Sequence, residues 1–563
     1  MVDSWSPFKE IIETSIIDNK CIADCLEYDG YSQWWSIEYN IHNDALNNNL
    51  PPKGITNSRI YLKIRCNKTI NLLFNFVYDL TNYCIFYIER KIFQPNKEHD
   101  SAKATSKIVY LQEIMEWRDD TKNNNNSQTL KNIYHSDIIS QLPPQLKIIT
   151  VYNADIISFK EHHSKYPHII SSDKRTIPCV YWKYWSWQTW LYEKRSIMHF
   201  YDIWNRISDK DIWFTKWNRF AKTNDKEVKN YFKKLILLLI PKATSYFAMV
   251  DQLIRIEKPS VIIMTDEYSM YGRALINAAK KHNILSIAIQ HGLISENHTK
   301  YCRNHDPHDV SVKGKEIGTS YPIPDITCVW GKSQYEILVN CAGYPKDQVI
   351  ITGNPRYDYL SHATEKYSRD TFYTKYNINP NNRIILWATG THGENYEDNI
   401  AYINEVISAC NVIPNVTLII KQHPNEQPEH TKIYRDAMEK NKDRFQIILP
   451  DKMEDTTEMV FSSDILIIRA STVGQEAVAF HKPIIILDFS EKKDLLEYVK
   501  ENVAVPAYCE GSLRNALITC LQNSPITRDN QDIYITNYMN KIDGLAAKRI
   551  AKLIEDSIAK NNT

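Results

Sequence analysis

From residue 258 onward, short apolar runs of strand length alternate with stretches of helical periodicity. Ser260–Thr265 (SVIIMT) is followed by a helical stripe over 270–282, and Leu285–Ile289 (LSIAI) is the next apolar run. Near-continuous apolar strands are typical of a parallel sheet that helices cover on both faces. This region therefore predicts a series of strand–helix–strand units.

The same alternation restarts after a polar stretch at 363–382. The later runs of strand length are Ile384–Ala388, Val416–Lys421, Phe445–Leu449, Ile465–Ile468 and Pro483–Leu487. We therefore expect an N-terminal α/β domain over 1–365, with an irregular aromatic insertion at about 150–250, and a second α/β domain over 366–535. A helical pattern over 536–563 is expected to pack back on the first domain.

Charge and cysteine content exclude several classes of protein. The 563 residues include 68 Lys and Arg against 67 Asp and Glu, so no strong positive field would attract nucleic acid. The 11 cysteines contain no CxxC pair, which indicates reduced thiols rather than a disulfide framework or a zinc site. The first residues lack a signal-peptide pattern. We expect a cytoplasmic protein, either free or peripheral at the inner face of the membrane.

Polar side chains follow two strands of the first domain at their carboxyl ends, where open α/β sheets bind ligands. Asp266 and Glu267 follow one strand, and Gln290, His291 and Gly292 follow the next. A neutral His291 would accept a proton from an acceptor hydroxyl, and the two acids are competing bases because paired carboxylates raise one pKa. The alternatives are a structural histidine and acids that cap the following helix.

Two strand ends of the second domain carry side chains suited to an anion. They are Lys421, His423, Ser471, Thr472 and Gly474. The last three open a helix directly after a strand, so backbone N–H groups and the helix dipole would face a phosphate. Glu476 in the same helix would accept hydrogen bonds from ribose hydroxyls. The alternatives are a capping box completed by Gln475 and a structural role for His423.

Four motifs in this region resemble GT-B-type enzymes of surface polysaccharide synthesis. They are QHG (290–292), TGNPRYD (352–358), KQHP (421–424) and STVGQEAVAFHKPIIILD (471–488). The similar groups are capsular and lipopolysaccharide glycosyltransferases, polysialyltransferase-like enzymes, CDP-glycerol glycerophosphotransferases and UDP-GlcNAc 2-epimerases. The resemblance, over about 255–520, implies a GT-B-like fold. Two Rossmann-like parallel-sheet domains would face each other across a cleft, with an aromatic-rich N-terminal elaboration.

The resemblance also implies roles for particular residues. In sialyltransferases of this architecture an acidic pair supplies the base, an HP pair holds the nucleotide and a serine pair holds phosphate. The matching pairs here are Asp266–Glu267, His423–Pro424 and Ser471–Thr472. Tyr268 replaces the glycine that usually follows the acids. In epimerases and glycerophosphotransferases a glutamate binds ribose, which implies Glu476.

The GNPRYD motif resembles an interdomain strand end, which implies that Gly353, Asn354 and Arg356 line the donor cleft. Arg469 stands where a small or acidic residue is more usual, and the acidic catalytic set of the epimerases is not evident. These departures favour the transferases over the epimerases.

The leading expectation is therefore a glycosyltransferase that uses a CMP-, UDP- or CDP-linked sugar and a surface-polysaccharide or lipid-linked glycan acceptor. We expect neither a metal nor a bound cofactor, because helix N-termini and basic side chains can stabilise the leaving phosphate. The alternatives are a glycerophosphotransferase or UDP-sugar 2-epimerase on the same scaffold, and a non-catalytic glycan-assembly binding protein.

The segment 181–220 contains seven of the 13 tryptophans, interleaved with lysine and arginine. This mixture suits a membrane interface, where a lipid-linked acceptor would reside, and equally suits stacking on sugar rings. The alternative is a pair of helices that bury these rings in the N-terminal domain.

Overall fold

The structure is a computed structural model, and its described residues form two compact units. The described residues are 15–17, 20–21, 25–29, 31–33, 68–69, 71–77, 80–81, 84, 107–112, 117–119, 130–132, 134–152, 176–208, 225–296, 301–302, 322–390, 396–423, 426, 428–490, 494 and 496–561. The N-terminal unit comprises those up to 329, 334–351 and 548–561. The C-terminal unit comprises 330–333 and those within 352–547.

A seven-stranded parallel sheet forms the centre of the N-terminal unit. Its strands are β1 (Lys107–Gln112), β2 (Lys147–Tyr152), β3 (Thr176–Val180), β4 (Val261–Met264), β5 (Leu285–Ile289), β6 (Ile326–Val329) and β7 (Val349–Ile351). Their order is β7-β6-β5-β4-β1-β2-β3. Because β1 pairs with both β4 and β2, the strand order reverses there, and such a reversal opens a crevice at the carboxyl ends.

A six-stranded parallel sheet forms the centre of the C-terminal unit. Its strands are β8 (Arg383–Ala388), β9 (Val416–Lys421), β10 (Gln446–Ile448), β11 (Ile465–Ile468), β12 (Ile484–Leu487) and β13 (Ala504–Ala507). Their order, β10-β9-β8-β11-β12-β13, also reverses, here between β8 and β11. Each unit therefore has the Rossmann-like arrangement that the sequence predicts.

Helices cover these sheets because the strands are buried along almost their whole length. In the N-terminal unit the helices are α1 (Ser136–Gln141), α2 (Trp187–Ser208), α3 (Asp225–Lys234), α4 (Ile240–Glu257) and α5 (Met270–Lys281). A π-helical turn, Leu235–Leu239, joins α3 to α4. Tyr246, Met249 and Leu275 of α4 and α5 pack on the apolar strands in one core.

The remaining helices follow the strand–helix alternation. They are α6 (Lys332–Glu336), α7 (Ala363–Lys366), α8 (Arg369–Lys375), α9 (Tyr396–Cys410), α10 (Pro428–Asn441), α11 (Thr456–Ser462), α12 (Val473–Ala479), α13 (Ser512–Asn523), α14 (Arg528–Tyr534) and α15 (Ala546–Asn561). The sequence predicts one helix over 334–342, whereas α6 ends at Glu336 and a π-helical turn, Ile337–Cys341, follows it. Val406, Ile420 and Leu517 represent the core that α9 and α13 share with the second sheet.

Short elements near the N-terminus complete the described structure. Antiparallel pairs join Ser15–Ile17 to Lys20–Cys21, Glu27–Tyr28 to Tyr31–Ser32, and Trp117–Asp119 to Leu130–Asn132. Among the helices within the described ranges, none combines the length and the apolar character needed to cross a bilayer.

Candidate active site

The His291 imidazole lies at the carboxyl edge of the N-terminal sheet, and its two ring nitrogens have different partners. Nδ1 lies 2.5 Å from the backbone oxygen of Thr265, and Nε2 lies 2.9 Å from the Tyr268 hydroxyl. A carbonyl oxygen can only accept, so Nδ1 carries the ring proton. Nε2 of the neutral ring is consequently the acceptor, which is the state a general base requires.

A second loop supports this histidine. The Asn132 side chain accepts hydrogen bonds from the backbone N–H groups of Tyr134 and His135, both at 2.9 Å. The Tyr134 hydroxyl donates to the backbone oxygen of His291 at 2.8 Å. Burial, and to a lesser extent His291, lowers the pKa of His135 to about 3, so His135 is neutral at physiological pH. The loop fixes the His291 backbone without adding a charge.

Asp266 and Glu267 lie directly after β4 and are pressed against α5. A Cβ on Gly272 would lie 2.1 Å from the backbone oxygen of Asp266, so only glycine permits this approach. Ser269 caps α5 by accepting from the Gly272 N–H at 3.1 Å. The interpretation of the two acids as the caps of this helix is therefore wrong.

Glu267 is 2% exposed, and neither of its carboxyl oxygens accepts a hydrogen bond of normal geometry from the described residues. Burial raises the pKa of Glu267 to about 8, the nearby Tyr301 hydroxyl and Arg273 oppose that rise, and Asp266 adds to it. Glu267 is consequently mostly protonated at pH 7 and is a poor base there.

Gln290 and Gly292 flank the histidine. Gln290 is buried, and its side-chain amide donates to the backbone oxygen of Gly292 at 2.8 Å. A Cβ on Gly292 would have no neighbour within 4 Å, so open space adjoins the chain at this point. The structure therefore brings all five predicted residues of the N-terminal unit to one edge of its sheet.

In the C-terminal unit Glu476 is the centre of a buried polar network. Its Oε2 accepts from the Thr457 hydroxyl at 2.8 Å, and Thr457 is also 2.9 Å from the Tyr359 hydroxyl. Burial raises the pKa of Glu476, whereas the Thr457 hydrogen bond and the charge of Arg356 oppose the rise. Arg356 is exposed, and its charge acts on the buried carboxyl of Glu476.

Gly353 and Asn354 shape the turn that carries Arg356. Gly353 has a φ of 84°, a conformation that favours glycine. Asn354 caps the 3₁₀ helix Pro355–His362 by accepting from the Arg356 N–H at 3.0 Å. These two residues therefore orient Arg356.

Two tyrosines donate hydrogen bonds to the turn after β11 and to the helix that follows it. The Tyr498 hydroxyl donates to the backbone oxygen of Ser471 at 3.0 Å, and Tyr357 donates to the Gln475 side chain at 3.0 Å. Gln475 is used in this way and Thr472 makes no side-chain cap, so no capping box forms, although the Ser471 hydroxyl accepts from the Val473 N–H at 3.3 Å. A Cβ on Gly474 would lie 2.6 Å from the Tyr498 ring, so the close packing requires glycine.

Lys421 and His423 lie at the end of β9, which β8 separates from β11 in the sheet. Lys421 is buried, and its ammonium donates to the backbone oxygens of Gln422, at 3.4 Å, and of Lys452. Burial lowers its pKa. The half-buried His423 donates its backbone N–H to the Thr389 hydroxyl at 3.2 Å. Lys421 thus ties two loops together, and Pro424 lies outside the described residues.

Arg469 directly follows β11. Its Nε donates to the buried Asp488 at 3.0 Å, and its guanidinium lies 5.9 Å from the Tyr402 ring centroid. This pair explains how an arginine is accommodated where the resembled families have a small or acidic residue. The charge is balanced by a carboxylate from the next strand.

Sequence reasoning missed Thr457 as a partner of Glu476 and Tyr268 as a partner of His291. No local signal links Thr457 to a glutamate 19 positions away. The sequence marks Tyr268 only because it replaces the glycine that usually follows the acidic pair in the resembled sialyltransferases. Among the described residues no group of three or more His, Cys, Asp or Glu side chains is arranged to hold a metal ion.

Several solved structures are similar to this chain at low identity. UDP-GlcNAc 2-epimerase from Neisseria meningitidis, bound to UDP-GlcNAc, is 14% identical, with a TM-score of 0.49 over 80% of this chain and 100% of that one. S. aureus MnaA with UDP is 14% identical, with a TM-score of 0.46 over 80% and 96%. A histidine-to-asparagine variant of the wall teichoic acid polymerase TagF, soaked with CDPG, is 12% identical, with a TM-score of 0.42 over 88% and 99%.

No curated protein matches the chain significantly. The model of one protein family, described as CDP-glycerol:poly(glycerophosphate) glycerophosphotransferase, matches residues 216–556. Because this match spans more than half of the sequence, the protein belongs to the CDP-glycerol:poly(glycerophosphate) glycerophosphotransferase family of transferases.

Proposed function

We propose that the protein transfers a glycerol phosphate, or a similar phosphorylated polyol, from a CDP-linked donor to a hydroxyl of a surface polymer. The observation that carries the proposal is His291, whose Nδ1 proton is directed to the Thr265 carbonyl and whose Nε2 is an acceptor. The family supports the donor class. The expectation from sequence places glycosyl transfer first and glycerophosphate transfer second, and the family favours the second for the proposal.

His291 is the preferred base of the three candidates. Glu267 is protonated at neutral pH because burial raises its pKa to about 8. Asp266 is half-buried at the start of the turn, where its backbone oxygen accepts from the Ser269 hydroxyl at 2.9 Å. The role proposed for Glu267 is that of a neutral group beside the acceptor, which avoids a negative charge next to an anionic polymer.

The donor is proposed to bind the C-terminal unit at the strand-order reversal between β8 and β11. Glu476 would accept from the ribose hydroxyls, while Arg356, Ser471 and Thr472 would contact phosphate oxygens. The acceptor oxygen attacks the phosphorus of the transferred group, the acceptor proton passes to the base, and CMP leaves. We propose no metal for this step, since arginine and backbone N–H groups can stabilise the leaving phosphate.

The test is a donor panel with a glycerophosphate polymer as acceptor, read out by the nucleotide that is released, with and without EDTA. The panel comprises CDP-glycerol and CMP-, UDP- and CDP-linked sugars. Glycerophosphate transfer from CDP-glycerol releases CMP, whereas glycosyl transfer from a UDP- or CDP-sugar releases the nucleoside diphosphate. CMP release from CDP-glycerol that requires acceptor and survives EDTA supports the proposal. Release of UDP or CDP, or of CMP from a CMP-linked sugar only, would replace it with glycosyl transfer, and absence of turnover with every donor would favour a binding protein.

We also propose that the N-terminal unit contacts an anionic lipid surface, where a lipid-linked acceptor would be presented. Trp187 is 60% exposed and stacks on Trp190, with ring centroids 4.4 Å apart. Phe76 packs on Trp190 at 5.2 Å, and its neighbours Leu73 and Val77 are 62% and 52% exposed. Exposed aromatic and aliphatic groups together suit a bilayer interface.

The rest of the aromatic segment divides between core and surface. Lys194 lies 5.5 Å from the Trp190 ring and supplies positive charge, whereas Trp182 and Trp204 are buried. Residues 209–220 lie outside the described ranges.

Co-sedimentation with phosphatidylglycerol vesicles tests the proposed contact with an anionic lipid surface. The double variant Trp187→Ala, Leu73→Ser should no longer bind the vesicles. The control Leu545→Ser changes an exposed leucine of the C-terminal unit and should bind them as the wild type does. Equal binding of all variants would refute the contact.

A further inference from the structure

We propose that Tyr268 is a catalytic residue that receives the acceptor proton and passes its own phenolic proton to His291. The inference rests on the proposed function, because it adds a step to the same transfer reaction. It starts from the partner of the base: Nε2 of His291 already accepts a hydrogen bond, from the Tyr268 hydroxyl at 2.9 Å.

The direction of that hydrogen bond follows from the other side of the ring. Nδ1 is 2.5 Å from the Thr265 carbonyl, which has no proton to give, so in the neutral ring Nδ1 carries the proton and Nε2 is the acceptor. Tyr268 must therefore donate its phenolic proton toward Nε2. A phenolic oxygen that donates can also accept, so Tyr268 has the chemistry to receive a proton from an acceptor hydroxyl.

Packing holds the phenol in this position while leaving it accessible. The Tyr268 ring meets Tyr301 edge-on, with centroids 5.2 Å apart, and lies 5.6 Å from the His291 ring. Tyr268 is only half-buried, and open space adjoins the nearby Gly292. Solvent therefore reaches Tyr268, which contacts the ring of the base, and an acceptor is proposed to approach the pair there.

The other polar groups near His291 do not fit this role. The Tyr134 hydroxyl donates to the backbone oxygen of His291, not to its ring. His135 is fully buried, and Glu267 is 2% exposed. Asp266 is half-buried and lies two residues before Tyr268 in the chain. Among the described residues, Tyr268 is the half-buried side chain with a hydrogen bond to the ring of His291.

The proposed step balances in protons and electron pairs. The acceptor O–H proton moves to the Tyr268 oxygen as the Tyr268 proton moves to Nε2, which gives a neutral phenol and an imidazolium. The acceptor oxygen forms a bond to the phosphorus of the donor, and the phosphorus–oxygen bond to CMP breaks with its electron pair leaving on CMP. The imidazolium then loses its proton to solvent.

The experiment compares Tyr268→Phe, Tyr134→Phe and His291→Ala with the wild-type chain, using CDP-glycerol and the polymer acceptor. Tyr268→Phe keeps the ring and its contact with Tyr301 and removes only the hydroxyl. Tyr134→Phe is the matched control, because it removes a hydroxyl bonded to the same histidine outside the proposed relay. Readouts are kcat, CDP binding, and the dependence of kcat on the fraction of D₂O.

We expect Tyr268→Phe to lower kcat about 100-fold with CDP binding unchanged, in the range for loss of a proton-transfer group. Tyr134→Phe should lower kcat less than 10-fold. The wild-type rate should fall with D₂O along a curve that indicates two protons in motion, and Tyr268→Phe should give a straight line. A Tyr268→Phe enzyme as fast as wild type, or equal losses in both tyrosine variants, would overturn the relay. Lack of turnover by the wild-type chain would instead overturn the proposed function.

Discussion

The two units have the same strand order at their centres but place different chemistry at the carboxyl edges of their sheets. At the edge of the N-terminal unit a neutral histidine is surrounded by tyrosines and a protonated glutamic acid. At the edge of the C-terminal unit, arginines and hydroxyl groups surround two acids, Glu476 and Asp488. The first arrangement suits movement of a proton, and the second suits retention of a charged ligand.

The difference originates in the groups that surround the buried glutamate at each edge. At Glu267 burial outweighs the opposing effect of the Tyr301 hydroxyl and favours the neutral form. Glu476 receives the Thr457 hydroxyl and lies near the charge of Arg356, which oppose the effect of burial. Burial raises the pKa of both glutamates, and the proposal assigns a neutral role to Glu267 and ligand binding to Glu476.

The largest expected effect separates chemistry from binding. His291→Ala should lower kcat for CMP release by about 10²–10⁴-fold, the range for loss of a general base. Thermal stabilisation by CDP should persist, because the residues proposed to bind the nucleotide are untouched. His282→Gln, which alters a histidine of the same unit that pairs with Asp251, serves as the control and should retain turnover. Full activity in His291→Ala would show that His291 is not the base.

The next effect concerns the C-terminal edge. Glu476→Gln should weaken CDP binding about 10- to 100-fold, since a hydrogen bond to a charged group contributes about 1.5–3 kcal/mol. Saturating donor should restore most of kcat. Thermal shift against CDP concentration provides the measurement, with Glu439→Gln on an exposed helix as the control. If both variants bind CDP as the wild type does, Glu476 is not a nucleotide ligand.

A third change tests whether tight packing sets the geometry of that edge. Gly474→Ala should destabilise the C-terminal unit by about 1–3 kcal/mol, because its Cβ would lie 2.6 Å from the buried Tyr498 ring. Gly390→Ala is the matched control, since its nearest contact would be an ordinary 3.9 Å to Arg469. Urea unfolding measures both, and equal stability of the two variants would contradict the close packing.

The smallest effect is a pH dependence of stability. The pKa of Glu267 is raised from 4.5 to about 8 on folding, so its contribution to stability is present below pH 4.5 and is lost as pH rises through 8. Glu267→Gln should therefore gain about 2 °C or more in Tm relative to wild type between pH 5 and pH 9.

Glu257 provides a control of opposite sign for this pH dependence. Although burial acts to raise its pKa, Lys183, Tyr184 and Lys107 lower it overall. Its contribution is present above the unfolded value and is lost as pH falls, so Glu257→Gln should be most destabilising at neutral and alkaline pH. Parallel pH profiles for the two variants would show that the buried carboxyl of Glu267 does not titrate as described.

Local sequence predicted much of both sheets. Leu285–Ile289, Val416–Lys421 and Ile465–Ile468 are strands with the predicted bounds, because each is a buried apolar run flanked by polar residues. Lys107–Gln112 was not recognised, since six residues of mixed polarity fit a strand or a helix. Thr176–Val180 contains Pro178, which argues against a strand unless it lies at a sheet edge, as β3 does.

The candidate site was less predictable than the sheets. The positions of His291 and Glu476 after strands follow from the strand–helix alternation, since ligand-binding groups collect at carboxyl ends. Their partners depend on contacts between distant segments, as Tyr134 with His291 and Tyr359 with Thr457 illustrate. No periodicity encodes such pairs, and the protonation state of Glu267 depends on burial that only the folded chain creates.

Calorimetric titration of CDP into wild type, His291→Ala and Glu476→Gln tests the division between the two edges most directly. The account predicts that His291→Ala binds CDP within about twofold of wild type and that Glu476→Gln loses at least about tenfold in affinity. Loss of CDP binding in His291→Ala, with full binding in Glu476→Gln, would contradict it.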